Sequence, residues 1–228
     1  MKKLTILFFL LLPLFLIAQQ KVEIGGFAGF ANYQGDLAPD VIELSETKIT
    51  FGGFLRYHIN NNVKVRAGAY LGFISGSDAN DEGGSLQSRG WSFESQLFEV
   101  SLIGEYHPFG KSRAGETGVF QRQVSPYVFG GVGFVNADPV VTVSLTADEG
   151  LFPEQDFEAL HLVAPFGLGV RADLVEFLSF GIEGGYRITN DDYLDGVKNT
   201  GNPDGRDLYV FIGATVSFFF GELAAYGF

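Results

Sequence analysis

Residues 48–73 read KITFGGFLRYHINNNVKVRAGAYLGF, and they decide the fold. Taken two at a time, Ile49, Phe51, Gly53, Leu55, Tyr57 and Ile59 share one face, while Lys48, Thr50, Gly52, Phe54, Arg56 and His58 share the other. After Asn60-Asn61-Asn62 the alternation resumes. Val63, Val65, Ala67, Ala69, Leu71 and Phe73 stand opposite Lys64, Arg66, Gly68, Tyr70 and Gly72. A period of two is the signature of a strand with two different environments. Asn tolerates the left-handed backbone of a tight hairpin, so the stretch predicts two antiparallel strands.

Working outward, the same alternation predicts eight segments, at 22–32, 47–59, 62–73, 93–107, 126–135, 160–173, 177–188 and 207–220. Each has about the length of a tilted strand that crosses a bilayer, roughly 9–11 residues. No stretch carries a helical period. The links at 60–61 and 174–176 are short, whereas those at 33–46, 74–92, 136–159 and 189–206 are long and hold much of the acid. The link at 108–125 breaks the alternation. Long loops at one end and short turns at the other are the habit of a transmembrane barrel, whose turns face the periplasm. The expected fold is therefore all-β: an eight-stranded antiparallel transmembrane β-barrel with both termini on the periplasmic side.

The first residues, MKKLTILFFLLLPLFLIAQQ, carry Lys2 and Lys3, then apolar Leu4 to Ile17, then Ala18 before the expected cut. That is an export signal, shorter than the ~20 apolar residues of a spanning helix. The expected organisation is a signal peptide at 1–18 and one outer-membrane barrel domain at 19–228, located in a bacterial outer membrane.

Composition narrows the chemistry. The chain has no cysteine, so disulfides, thiolate metal sites and thiol catalysis are excluded. Formal net charge is -12, and without Lys2 and Lys3 the balance is 13 basic against 27 acidic residues. Nucleic acid needs a basic face and is not an expected partner. His58, His107 and His161 fall on different segments without metal-ligand spacing, so no metal or other cofactor is expected. Gly25-Gly26-Phe27-Ala28-Gly29 lacks the helix and lysine of a phosphate loop. The loop at Asp191–Gly196 lacks the ligand spacing of a calcium loop. His161 with Ser144 or Glu158 is the one arrangement that suggests a lipid-modifying enzyme, and the expectation is no catalytic residue. A soluble barrel of the lipid-carrier type, or a barrel with a purely structural or adhesive role, would also suit such a chain.

An eight-stranded barrel is just wide enough to be filled by side chains. The inward faces supply Arg56, Lys64, Arg66, Arg171 and Arg187 as partners for Glu23, Glu99, Glu105 and Glu183, with Phe27, Phe54 and Tyr70 over glycines. The expectation is a charge-balanced plug and no permanent pore. Tyr33, Tyr57, Phe73, Trp91, Tyr106, Phe109, Tyr127, Phe134, Tyr186 and Tyr209 near segment ends suggest interface girdles. Pro165 lacks a ladder donor, so a bulge, or a strand starting just after it, is expected there.

Residues 22–37, VEIGGFAGFANYQGDL, contain Asn32-Tyr33-x-Gly35-Asp36-Leu37. With the 51–72 hairpin and EYHPFG at 105–110, this resembles the PorG-like outer-membrane barrels of Bacteroidetes. The resemblance implies an outer-membrane component of the type IX secretion machinery that meets a periplasmic ring. It also implies that Asn32, Tyr33, Gly35, Asp36 and Leu37 mark the first outer loop. Lys111, Arg113 and Arg122 in the 108–125 turn are then the natural contact, with outer-membrane lipid as the other partner.

Overall fold

The computed structural model describes residues 21–34, 46–77, 91–114, 118–143, 160–190, 194 and 208–220. The signal segment, Gly35, Asp36, Leu37, Ser144, Glu158 and the tail after Phe220 lie outside the described residues. Eight strands follow in order: β1 Val22–Gln34, β2 Lys48–His58, β3 Val63–Ser77, β4 Trp91–Tyr106, β5 Gln123–Val143, β6 Leu160–Val175, β7 Leu178–Thr189 and β8 Leu208–Phe220. Each pairs antiparallel with the next, and β1 also pairs with β8, which closes the barrel.

Closure leaves no free edge at mid-height, so backbone groups there pair between neighbouring strands, apart from the Gly131 and Val132 pairs that the β5–β6 ladder skips. The alternation read from the sequence holds in three dimensions. On β4 every odd-numbered residue from Trp91 to Glu105 is buried, and Phe98, Val100, Leu102 and Tyr106 are exposed on the outside. The hairpin at 59–62 is an Asx turn: Asn60 Oδ1 accepts from the backbone N–H of Asn62 and of Val63, each at 2.8 Å.

Three expectations need correction. First, β5 does not stop at 135 but runs to Val143, because Asn136–Val143 continue to pair with Trp91–Phe98. The β3–β4–β5 sheet thus stands above its neighbours at the end that carries the long loops, here the loop end. Second, β6 starts at Leu160, well before Pro165, and no bulge forms at the proline. The β5–β6 ladder instead skips the pairs of Gly131 and Val132 and resumes in the same register at Gly133↔Val163. The irregularity lies between Asp173 and Val175, against β7. Third, Tyr33, Trp91, Tyr127 and Tyr209 are buried inside the barrel rather than placed in a girdle. Each has the inward parity of its strand, and strand parity outranks nearness to an end.

The outer wall shows where hydrocarbon would stop. On paired β4 and β5, outward Phe98 and Phe134 give way to Gln96, Glu94, Asn136 and Asp138 towards the loop end. From Phe98 to Tyr106 the band spans nine residues, the length that crosses a bilayer as a tilted strand. The surface is apolar and the interior charged, the reverse of a barrel built for water.

Candidate functional site

The lumen is filled in storeys. Glu23 of β1 is the hub of the storey nearest the short turns, here the turn end. It pairs with Arg56 Nη1 at 2.8 Å, His58 Nε2 at 2.8 Å, Arg113 Nη1 at 3.3 Å and the guanidinium of Arg171. Ser217 Oγ donates a further bond at 3.1 Å. Beside it, Asp173 holds Arg171 at 3.0 Å and accepts from Ser179 Oγ at 2.7 Å. One storey up, Glu105 sits between Arg56 Nε at 2.9 Å and Arg66 Nε at 3.1 Å. Arg66 reaches across the lumen to Glu183 at 2.7 Å, where Tyr127 also donates. Above that, Glu99 meets Arg187 at 3.4 Å and accepts from Tyr209 at 2.8 Å and Ser101 at 2.8 Å.

Among the described residues, six buried cations face five buried carboxylates. Near balance matters because a lone ion in this interior costs several kcal/mol. Aromatic rings separate the storeys. Arg56 and Arg66 lie over Phe54 at 4.7 and 5.3 Å, and Arg187 lies over Phe211 at 4.2 Å. These rings fit because glycine lies beneath them: a Cβ on Gly25 would collide with the Phe54 ring, and one on Gly68 would come within 2.6 Å of Tyr70. Beyond Phe211 the filling is mainly aromatic and aliphatic, with Tyr33, Ile74, Trp91, Phe93, Leu97 and Tyr209 in one cluster beside buried His161 and Thr189.

The residues expected to form a charge network, Arg56, Arg66, Glu99, Glu105, Arg171, Glu183 and Arg187, all lie in the lumen and pair with one another or with Glu23 and Asp173. Asp173, Arg113, Ser179 and Ser217 belong to the network too, beyond what the sequence led us to expect. Asp173 and Ser179 had a usable signal, since both share inward parity with Arg171 and Glu183. Arg113 had none.

Arg113 departs from its expected place. The described parts of the turn at 107–122, residues 107–114 and 118–122, lie at the turn end of the barrel, and Arg113 dips inward to 8% exposure. Besides Glu23 it donates to Val175 O at 3.3 Å and Ser179 Oγ at 3.1 Å, and it lies 4.7 Å over Phe219. It is therefore part of the plug and not a free contact residue; the carboxylates Glu23 and Asp173 hold it there at 3.3 and 3.6 Å. Lys111 and Arg122 remain exposed, as do Phe109 and Val119. The turn is tied down elsewhere: His107 N–H donates to Asn62 O at 2.7 Å, and Asn62 Nδ2 returns a bond to His107 O at 2.7 Å. The Gln123 side chain bonds both the N–H and the carbonyl of Lys111.

Of the first-loop motif, Asn32 and Tyr33 are described. Asn32 Nδ2 donates to Thr47 Oγ1 at 3.3 Å, and Tyr33 packs edge-on against Phe93 at 4.9 Å. His161 is buried on the inward face of β6. Among the described residues no three His, Asp or Glu side chains gather at one metal position.

The chain is similar to neisserial surface protein A from Neisseria, with a TM-score of 0.52 at 12% identity over 87% of this chain and 97% of that one. That likeness bears on the closed eight-strand antiparallel barrel. Ail, the attachment invasion locus protein of Yersinia pestis, aligns at a TM-score of 0.42 and 13% identity over 87% of this chain and 99% of that one. No curated protein matches the sequence. The model of the family described as "Domain of unknown function (DUF6089)" matches residues 1–227, and the chain belongs to that family.

Proposed function

We propose that this chain is a non-enzymatic barrel of a bacterial outer membrane, exported by a cleaved signal peptide. In this reading it anchors a type IX protein secretion assembly by holding a periplasmic ring protein at its turn end. A wall apolar outside and a lumen packed with ion pairs suit a scaffold rather than a channel. The similarity of 22–37, 51–72 and 105–110 to PorG-like barrels gives the assembly.

The observation that carries the docking reading is the turn at 107–122. It is the longest connection at its end, it is fastened through Arg113, Asn62 and Gln123, and it still presents Phe109, Lys111, Val119 and Arg122 outward. A fixed patch of two cations beside two large apolar side chains fits an acidic, partly apolar protein face.

The test is a double charge reversal, Lys111→Glu with Arg122→Glu, followed by affinity purification from outer membranes. Both side chains are exposed, so the barrel is expected to keep its amount and its heat-modifiable migration. The ring protein is expected to disappear from the purified fraction. Undiminished recovery of every partner would overturn the docking reading.

A further inference from the structure

A recess on the outer wall at the loop end takes no part in the docking reading. The β2–β3 ladder ends at Thr50↔Gly72, yet β3 continues to Ser77 along β4. Lys48 and Ile49 therefore stand off from Phe73 and Ile74. A cavity of ≈ 580 Å³ opens beside them, reaching across β3 and β4 to β5. It lies at the row where the outward residues change from Phe98 and Phe134 to Gln96 and Asp138.

Its walls combine two chemistries. Ile49, Phe73 and Val140 are apolar, and Ile49 is continuous with the apolar band below. Lys48 donates one N–H to Glu94 Oε1 at 2.9 Å and keeps two donors for another acceptor. Asp138 is exposed and has no ion-pair or hydrogen-bond partner among the described residues. Ser95 also lines the recess, but its side chain has the inward parity of β4 and is buried towards the lumen.

We propose that this recess binds one lipid whose head carries both a phosphate and a primary ammonium. The phosphate meets Lys48, the ammonium meets Asp138, and the chains descend past Ile49 and Phe73 into the apolar band. A purely anionic head would face Glu94 and Asp138 without compensation. A water-soluble ligand would leave Ile49, Phe73 and Val140 unused. The proposal rests on the membrane-barrel part of the reading above and is independent of secretion.

The test is native mass spectrometry of the full barrel in detergent micelles, with dioleoylphosphatidylethanolamine or dioleoylphosphatidylglycerol added. Wild type is expected to retain one phosphatidylethanolamine and to hold phosphatidylglycerol about tenfold less well. Asp138→Asn is expected to erase that preference, and Val140→Trp, which fills the recess, to lose both lipids. Equal retention of the two lipids, an unchanged preference in Asp138→Asn, or undiminished binding in Val140→Trp would overturn the proposal. Heat-modifiable migration of the same samples reads the barrel separately. If it persists while the preference is absent, the lipid site fails and the membrane barrel stands.

Discussion

The two halves of the lumen are built by the same strands with the same inward parity, yet they are filled in opposite ways. Towards the turn end, each carboxylate is held from several directions. Glu23 alone is gripped by residues of β2, β6, β8 and the 107–122 turn. Towards the loop end, Tyr33, Phe93, Trp91, Tyr209 and Phe211 meet as rings, with centroid distances such as 5.2 Å for Tyr209 and Phe211. Removing one member of an ion network strands all its partners, because each remaining charge is still out of water. Trimming one ring loses only that ring's contacts. The charged half therefore behaves as a unit, and the aromatic half as a sum of contacts.

The largest expected effect is at the hub. Glu23→Gln leaves Arg56, Arg113 and Arg171 short of a counter-charge, and we expect a loss of about 3–5 kcal/mol, read as a lowered urea midpoint for unfolding from micelles. A loss below about 1 kcal/mol would break the comparison, since that is the scale of a surface pair. In the aromatic half, Phe211→Leu keeps most of the volume, and we expect less than about 1.5 kcal/mol in the same measurement. A cost equal to that at Glu23 would show the two halves to be equally strict.

The smallest effect is a pH dependence at the rim of the charged half. His107 is within hydrogen-bonding distance of Ser125 at 3.0 Å and Glu105 at 3.3 Å, and its ring stacks on Tyr127 at 4.8 Å. Burial holds its pKa below the ordinary 6.5, outweighing the upward pull of Glu105. On acidification the unfolded chain takes up this proton first. The His107 contribution to stability is therefore constant above pH 6.5 and is lost as the pH falls below it, until the folded ring also protonates. His107→Gln is expected to remove that part of the acid sensitivity; an identical pH profile in the variant would count against it.

The sequence showed the wall more fully than the plug, for a physical reason. Alternation is a local property, so the faces of residues 48–73 could be read from a dozen neighbours at a time. Asn136, Asp138 and Pro139 read as loop because they are poor strand formers, but β4 pairs with them above the apolar band, where polar outward residues are suitable. Tyr127 and Tyr209 looked like girdle residues by position, and only their parity with Phe129 and Phe211 reveals that they face inward. The pairings inside the lumen were out of reach. Arg66 and Glu183 lie 117 positions apart on strands that are not neighbours, so closure alone brings them together. Arg113 sits in a turn with no period at all, and its inward bend follows from carboxylates contributed by β1 and β6.

The central claim is that one face of each strand meets lipid while the other is packed into a charged plug, and β4 offers the most direct test of its lipid side. Because the chain has no cysteine, single nitroxide-labelled cysteines can be placed at Leu102, Val100, Phe98, Gln96 and Glu94 without further changes. In bilayers, oxygen is expected to reach labels at 98, 100 and 102 while a water-soluble nickel chelate does not, with the order reversed at 94 and 96. Free access of the chelate to 98, 100 and 102 would contradict the account.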